Sequence, residues 1–372
     1  MTDALSPAPQ SAAPPAVATA GDPTAGEVLT AHLTAQAVAF LRALPTVRGE
    51  PGGRPGEPDA QGGDLLRAVR RVGGALHTFA AAVEPGWAQE LRDELRWLLN
   101  MLTQEPSYDR RLARLVAALD SLTRTAAPDR LPAQRGDEPS SPSTGMLAGH
   151  PGAAKARALL ERQLTVARAR IHTSSLQELR SARLHALADR MTLLTGEVPL
   201  AAPAAAAARE VLLPQAAAAL GALARAAEAL PLLRAGAAYN GDARHRLHAE
   251  APLPDADAAL GTDDAPWLRV RILAKRARYA LEVCEPLLGG QASGTAARLD
   301  SLGRVLDRHQ EAADAAATAA AAARTPRITP ATGYVLGVVH ADQRLEVEAA
   351  RYSFGLQWPE LLNSDWPDWP VR

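Results

Sequence analysis

The stretch Trp267 to Glu282, W-L-R-V-R-I-L-A-K-R-A-R-Y-A-L-E, carries five cations and no acid before its last residue. The cations are Arg269, Arg271, Lys275, Arg276 and Arg278. Steps of four and three put Arg271, Lys275 and Arg278 on one face of a helix. Val270, Ile272, Leu273, Ala277 and Leu281 offer apolar surface for packing that helix onto neighbours. Cations stacked along a packed helix repel one another. They are tolerated where a polyanion, or carboxylates from elsewhere in the fold, face them, or where their stems snorkel the charge out to water.

The rest of the chain bounds what such a helix can belong to. Ala, Leu and Arg dominate, aromatics make up 4% of the 372 residues, and β-branched runs are scarce, so an all-α fold is expected. The formal net charge is −1, so any basic site must be local. Lys occurs only at Lys155 and Lys275. The remaining cations are Arg, the better bidentate partner for phosphate. A single cysteine, Cys284, rules out an intramolecular disulfide and suits a reducing cytoplasm. The N-terminus lacks the basic region and apolar core of a secretory signal. The Ala runs 204–208 and 315–323 are too short and too close to charges to cross a bilayer.

Along the chain, residues 1–22 read as a disordered Ala/Pro/Ser tail. Helices are expected over 26–44, stopped by Pro45, over 64–83 after a Gly/Pro loop at 49–63, and over 87–104. A fourth starts at a Ser107 cap and runs to Thr123, and 125–152 reads as a flexible linker. Further helices fall at 153–173, 175–195 and 204–230, with loop from 233 to 264. The basic helix covers 266–287, and two more cover 295–323 and 332–352. R-A-V-R-R-V-G-G-A-L at Arg67–Leu76 aligns with I-L-A-K-R-A-R-Y-A-L at Ile272–Leu281, setting Arg70 and Arg71 against Lys275 and Arg276. A Leu-striped helix follows each copy. This weak repeat suggests two related bundles, residues 24–200 and 203–362, with a tail at 363–372.

R-I-x-x-K-R-x-R-Y-A-L-E at Arg271–Glu282, followed by L-x-x-L-G-R-V-L-D-R-H-Q-E at Leu299–Glu311, resembles the second signature of the CHAD family, the conserved histidine α-helical domain. The resemblance implies two pseudo-repeated antiparallel helical bundles with a basic groove between or along them that binds inorganic polyphosphate. The family's basic lane reads His, Arg, Lys/Arg, Arg. It falls here on Leu268, Arg271, Lys275 and Arg278 in the second copy, and on Gly63, Leu66, Arg70 and Gly73 in the first. Both name-giving histidines are missing. Where the family has V-R-D-x-D in the first copy, this chain has Glu105, Pro106, Ser107, Tyr108 and Asp109, so an Arg is lost and an acid introduced. That acid is expected to repel polyphosphate.

The resemblance therefore assigns polyphosphate contact to Arg271, Lys275 and Arg278, with Arg67, Arg70 and Arg71 leaning in from the first copy. Arg276 and Tyr279 either touch phosphate or brace the helix. His309 is either a phosphate donor or a hydrogen-bonded histidine between helices. The expected activity is non-enzymatic binding of polyphosphate or a similar linear polyanion, in the cytoplasm and in association with polyphosphate granules, with no cofactor and no metal. The alternative is a degenerate CHAD-like scaffold that has lost its ligand and docks proteins, with the C-terminal Trp-Pro segment around Trp366 and Trp369 as a possible contact. No P-loop, G-x-G-x-x-G, G-x-S-x-G or alternating E-x-E-x-K strand occurs. His245 and His248 have helical metal-ligand spacing but no accompanying carboxylate cluster. Interleaved aromatics that would stack nucleic-acid bases are missing.

Overall fold

In a computed structural model, residues 22–47, 58–124, 145–235 and 256–365 are described, and they are almost wholly helical. Among the described residues ten α-helices follow in order: α1 (Ala25–Val47), α2 (Pro58–Thr78), α3 (Pro85–Thr123), α4 (Ala153–Leu179), α5 (Ala182–Gly196), α6 (Ala208–Glu228), a single turn α7 (Leu232–Ala235), α8 (Ala256–Leu288), α9 (Gly290–Ala323) and α10 (Pro330–Asp365). The described residues form no strand. Two isolated bridges, Thr24 with Ala207 and Val83 with Leu200, pin the α5–α6 connection to the starts of α1 and α3.

The apolar stripes bury in three clusters. One gathers α1, α2, the first half of α3, α5 and the end of α8 around Leu33, Phe40, Phe79, Leu91 and Leu95. A second joins α6, α8, the first half of α9 and the end of α10 around Trp267, Leu302, Leu306, Phe354 and Trp358. The third lies where α3, α4, α9 and α10 meet, at Leu115, Leu160, Ala315, Ala319 and Leu336. Buried alanines at 312, 315, 316, 319 and 322 let α9 lie close along α10. The steps between Leu91, Leu95, Leu98 and Met101 follow the helical repeat, and all four are buried.

Several boundaries differ from the sequence reading. Residues 87–123 are one helix rather than two, because α3 runs 39 residues straight through Pro106. A proline inside a helix forfeits one backbone bond, and here the Ser107 hydroxyl donates back to the Gln104 carbonyl (2.6 Å) instead of capping a new helix. Pro45 likewise sits inside α1 rather than ending it. The α4–α5 break falls at Arg180–Ser181, where the Ser181 hydroxyl accepts from Leu184 N (3.3 Å). The 233–264 stretch is not loop throughout. α8 begins at Ala256, and Asp264 in that early part is held by Arg344 and Arg351 of α10. α2 begins at Pro58, and α10 extends to Asp365. Gly289, at φ +60°, makes the break between α8 and α9, and α9 begins at Gly290 rather than at the expected 295. The 1–21 tail, the bulk of the linker, the 245–248 histidine pair and Trp366 and Trp369 lie outside the described residues.

Candidate functional site

Two cavities, about 340 Å³ and 210 Å³, share Arg70, Lys275 and Asp307 in their walls and so join into one groove. α2 contributes Arg67 and Arg70, and α8 contributes Arg271, Lys275 and Arg278. Gly74 sets the approach of these two helices, since a Cβ there would come within 2.9 Å of the Tyr279 ring. α3 adds Arg110, Arg111 and Arg114 beside Thr103, Pro106 and Ser107. α9 supplies Arg304 together with Asp300, Asp307, Glu311 and Asp314. Nine cations therefore face four carboxylates along the groove, in a chain whose net charge is −1.

The carboxylates are engaged. Asp307 accepts from Arg271 Nε (2.5 Å) and Lys275 Nζ (2.8 Å). Burial favours its neutral acid, but the bonds and charges of Lys275 and Arg271 outweigh this and hold the carboxyl below its usual range. The Lys275 ammonium is depressed, first by burial and then by Arg271, with Asp307 opposing and Arg70 adding to the repulsion. Asp300 pairs with Arg278 and Arg304, and Glu311 and Asp314 sit 3.3 Å and 3.5 Å from Arg110 and Arg111. Buried Arg111 Nε has no hydrogen-bond partner among the described residues. Arg70 makes no ion pair with any described residue although it lines both cavities.

The structure thus gathers Arg67, Arg70, Arg271, Lys275, Arg278 and Tyr279 of the expected set, and separates the rest. Tyr279 is 7% exposed, packed beneath Gly74 with the Arg278 guanidinium 4.8 Å from its ring centre, so it braces the helix where it touches the groove. Arg71 lies outside both cavity walls and donates to Glu282 (2.6 Å), tying α2 to α8. Arg276 points to another side of α8, near Arg92 and Arg96 of α3 and His77 of α2. Burial and those two like charges lower its guanidinium pKa. His309 lines neither cavity. It is 2% exposed, stacked on Trp267 (5.5 Å between ring centres) and in contact with Arg351 Nε (3.3 Å), and it is the interhelical histidine rather than a groove donor. Cys284 is buried and its thiol is pushed up to about 12, which removes it as a nucleophile at neutral pH.

The acid introduced at Glu105, and Asp109 a turn later, line neither cavity. Glu105 faces Arg168 and His172 of α4 (3.5 Å and 3.0 Å), and Asp109 faces Arg168 (3.1 Å), so the expected repulsion is taken up away from the site. The charge lost from the first-copy motif returns one to two turns later as Arg110, Arg111 and Arg114. They lie three, four and seven residues after Ser107, the same helical spacing that marks Arg271, Lys275 and Arg278. Among the described residues no group of His, Cys, Asp and Glu could hold a metal ion, and no helix is long and apolar enough to cross a membrane.

A family model described as CHAD domain matches residues 31–320. The structure of PptA from Streptomyces chartreusis is similar over 91% of this chain and 99% of that one, at 40% sequence identity and a TM-score of 0.68. The crystal structure of the CHAD domain from the plant Ricinus communis is similar over 91% of this chain and 94% of that one, at 19% identity and a TM-score of 0.50, a likeness of fold. No curated protein matches the chain.

Proposed function

The chain belongs to the CHAD domain family, and from that premise we propose that it binds inorganic polyphosphate, or a linear polyanion like it, along the groove between α2, α3, α8 and α9. The binding is non-enzymatic. The observation that carries this reading is the convergence of nine cations from four helices on one groove of a near-neutral chain. Repeating phosphates engage repeating guanidinium and ammonium groups. Affinity then draws on charge-assisted hydrogen bonds and on release of the polymer's counterions, and it falls steeply as salt rises.

Calorimetric titration with long-chain polyphosphate at low and high salt tests the proposal, with a parallel variant carrying Arg271→Ala, Lys275→Ala and Arg278→Ala. Saturable, salt-sensitive binding that a folded triple variant loses is the expected result. A folded wild type that binds nothing at low salt leaves the protein-docking scaffold as the reading.

A further inference from the structure

The groove is not an open row of charge, because the chain has already laid an anion along it. Asp300, Asp307, Glu311 and Asp314 follow at steps of seven, four and three on α9, so they share one face and span roughly 20 Å of helix. Each meets a groove cation: Arg278 and Arg304 at Asp300, Arg271 and Lys275 at Asp307, Arg110 at Glu311, and Arg111 at Asp314. A carboxylate presents oxygens to guanidinium and ammonium groups much as a phosphate does. Arg70, at the junction of the two cavities, has no such partner among the described residues.

We propose that the α9 carboxylate row, with Asp307 at its centre, is a built-in counter-ligand that an incoming polyanion displaces from the groove cations, beginning at Arg70. The inference rests on the polyphosphate reading and adds to it what limits affinity and selects ligands. A lone phosphate gains one or two contacts at Arg70 and cannot displace carboxylates tethered beside their cations at high effective concentration. A chain held first at Arg70 offers its further phosphates intramolecularly, and the exchange then proceeds cation by cation. Asp307 is the most consequential member because it occupies two α8 cations at once and is itself kept ionised by them. The competing possibility is that Asp307 aligns Arg271 and Lys275 for the ligand, in which case its charge helps binding. The two differ in sign.

Asp307→Asn keeps the side-chain shape and removes the charge. Glu311→Gln does the same at a pair that is already half exposed, so its fold is not at risk. Titrated with tripolyphosphate and with long-chain polyphosphate at low salt, and checked for folding by circular dichroism, both variants bind more tightly than wild type. The gain is about tenfold for Asp307→Asn and proportionally larger for tripolyphosphate. Unchanged or weaker binding in both folded variants, with wild type binding the long chain, overturns this inference and leaves the polyphosphate reading intact. No binding by wild type and both variants overturns that reading and this inference with it.

Discussion

His309 is the candidate donor that the fold takes away from the ligand, and its environment makes a measurable pH dependence. The ring is 2% exposed and stacked on Trp267, with Arg351 Nε 3.3 Å from Nε2 and Arg344 and Asp264 close by. Burial and then Arg351 depress its pKa to about 4, with Asp264 opposing and Arg344 adding to the depression. An unfolded histidine takes up its proton near 6.5, so between those values the unfolded chain binds more protons than the folded one. Stability held by the neutral ring is complete above pH ~6.5 and is lost as pH falls toward 4. From pH ~7 to ~4.5 the linkage relation gives a loss of about 2 kcal/mol from this residue alone. Urea unfolding of wild type and His309→Gln at both pH values isolates it, because carboxylates that also titrate cancel in the difference. The glutamine variant is expected to lose about 2 kcal/mol less than wild type on acidification. Equal losses in the two proteins refute the buried, neutral assignment and reopen His309 as a groove residue.

Two neighbours on α2 separate binding from bracing. Arg70→Ala, at the cation shared by both cavities that has no ion-pair partner among the described residues, weakens polyphosphate binding several-fold at low salt while the melting temperature stays within error, as calorimetry and thermal denaturation would show. Arg71→Ala, which breaks the 2.6 Å pair with Glu282, lowers stability by about 1 kcal/mol and leaves polyphosphate affinity unchanged in the same two assays.

The helical class and the basic face of α8 were legible because both rest on short-range periodicity. Arg271, Lys275 and Arg278 share a face whatever the tertiary structure does, and they line the groove. Arg70 and Arg71 differ by one residue, and one hundred degrees of helix sends the first into the groove and the second to Glu282. No local pattern distinguishes them without knowing where α8 lies. A proline followed by a capping serine predicts a boundary between 104 and 107, and that pattern masks the continuity of α3 and with it the lane from Ser107 to Arg114. That lane is legible from spacing alone, since Arg110, Arg111 and Arg114 follow Ser107 at helical intervals, while the family motif ends at Asp109 and does not reach them. The neutralising role of α9 was not legible, since Asp300 and Asp307 meet their cations across helices 22 to 36 residues apart in sequence. Ile272 shows the same limit on the apolar side: it was assigned to packing and is 42% exposed, while Ala274 beside it is buried.

If one groove, built by several helices rather than by α8 alone, receives the polyanion, α3 must share in holding it. The most direct measurement is the low-salt affinity for long-chain polyphosphate of a variant carrying Arg110→Ala, Arg111→Ala and Arg114→Ala on α3, beside wild type. A loss of at least about tenfold is expected, with the fold retained by circular dichroism. Wild-type affinity in that folded variant would contradict it, because the α3 wall would then play no part in holding the ligand.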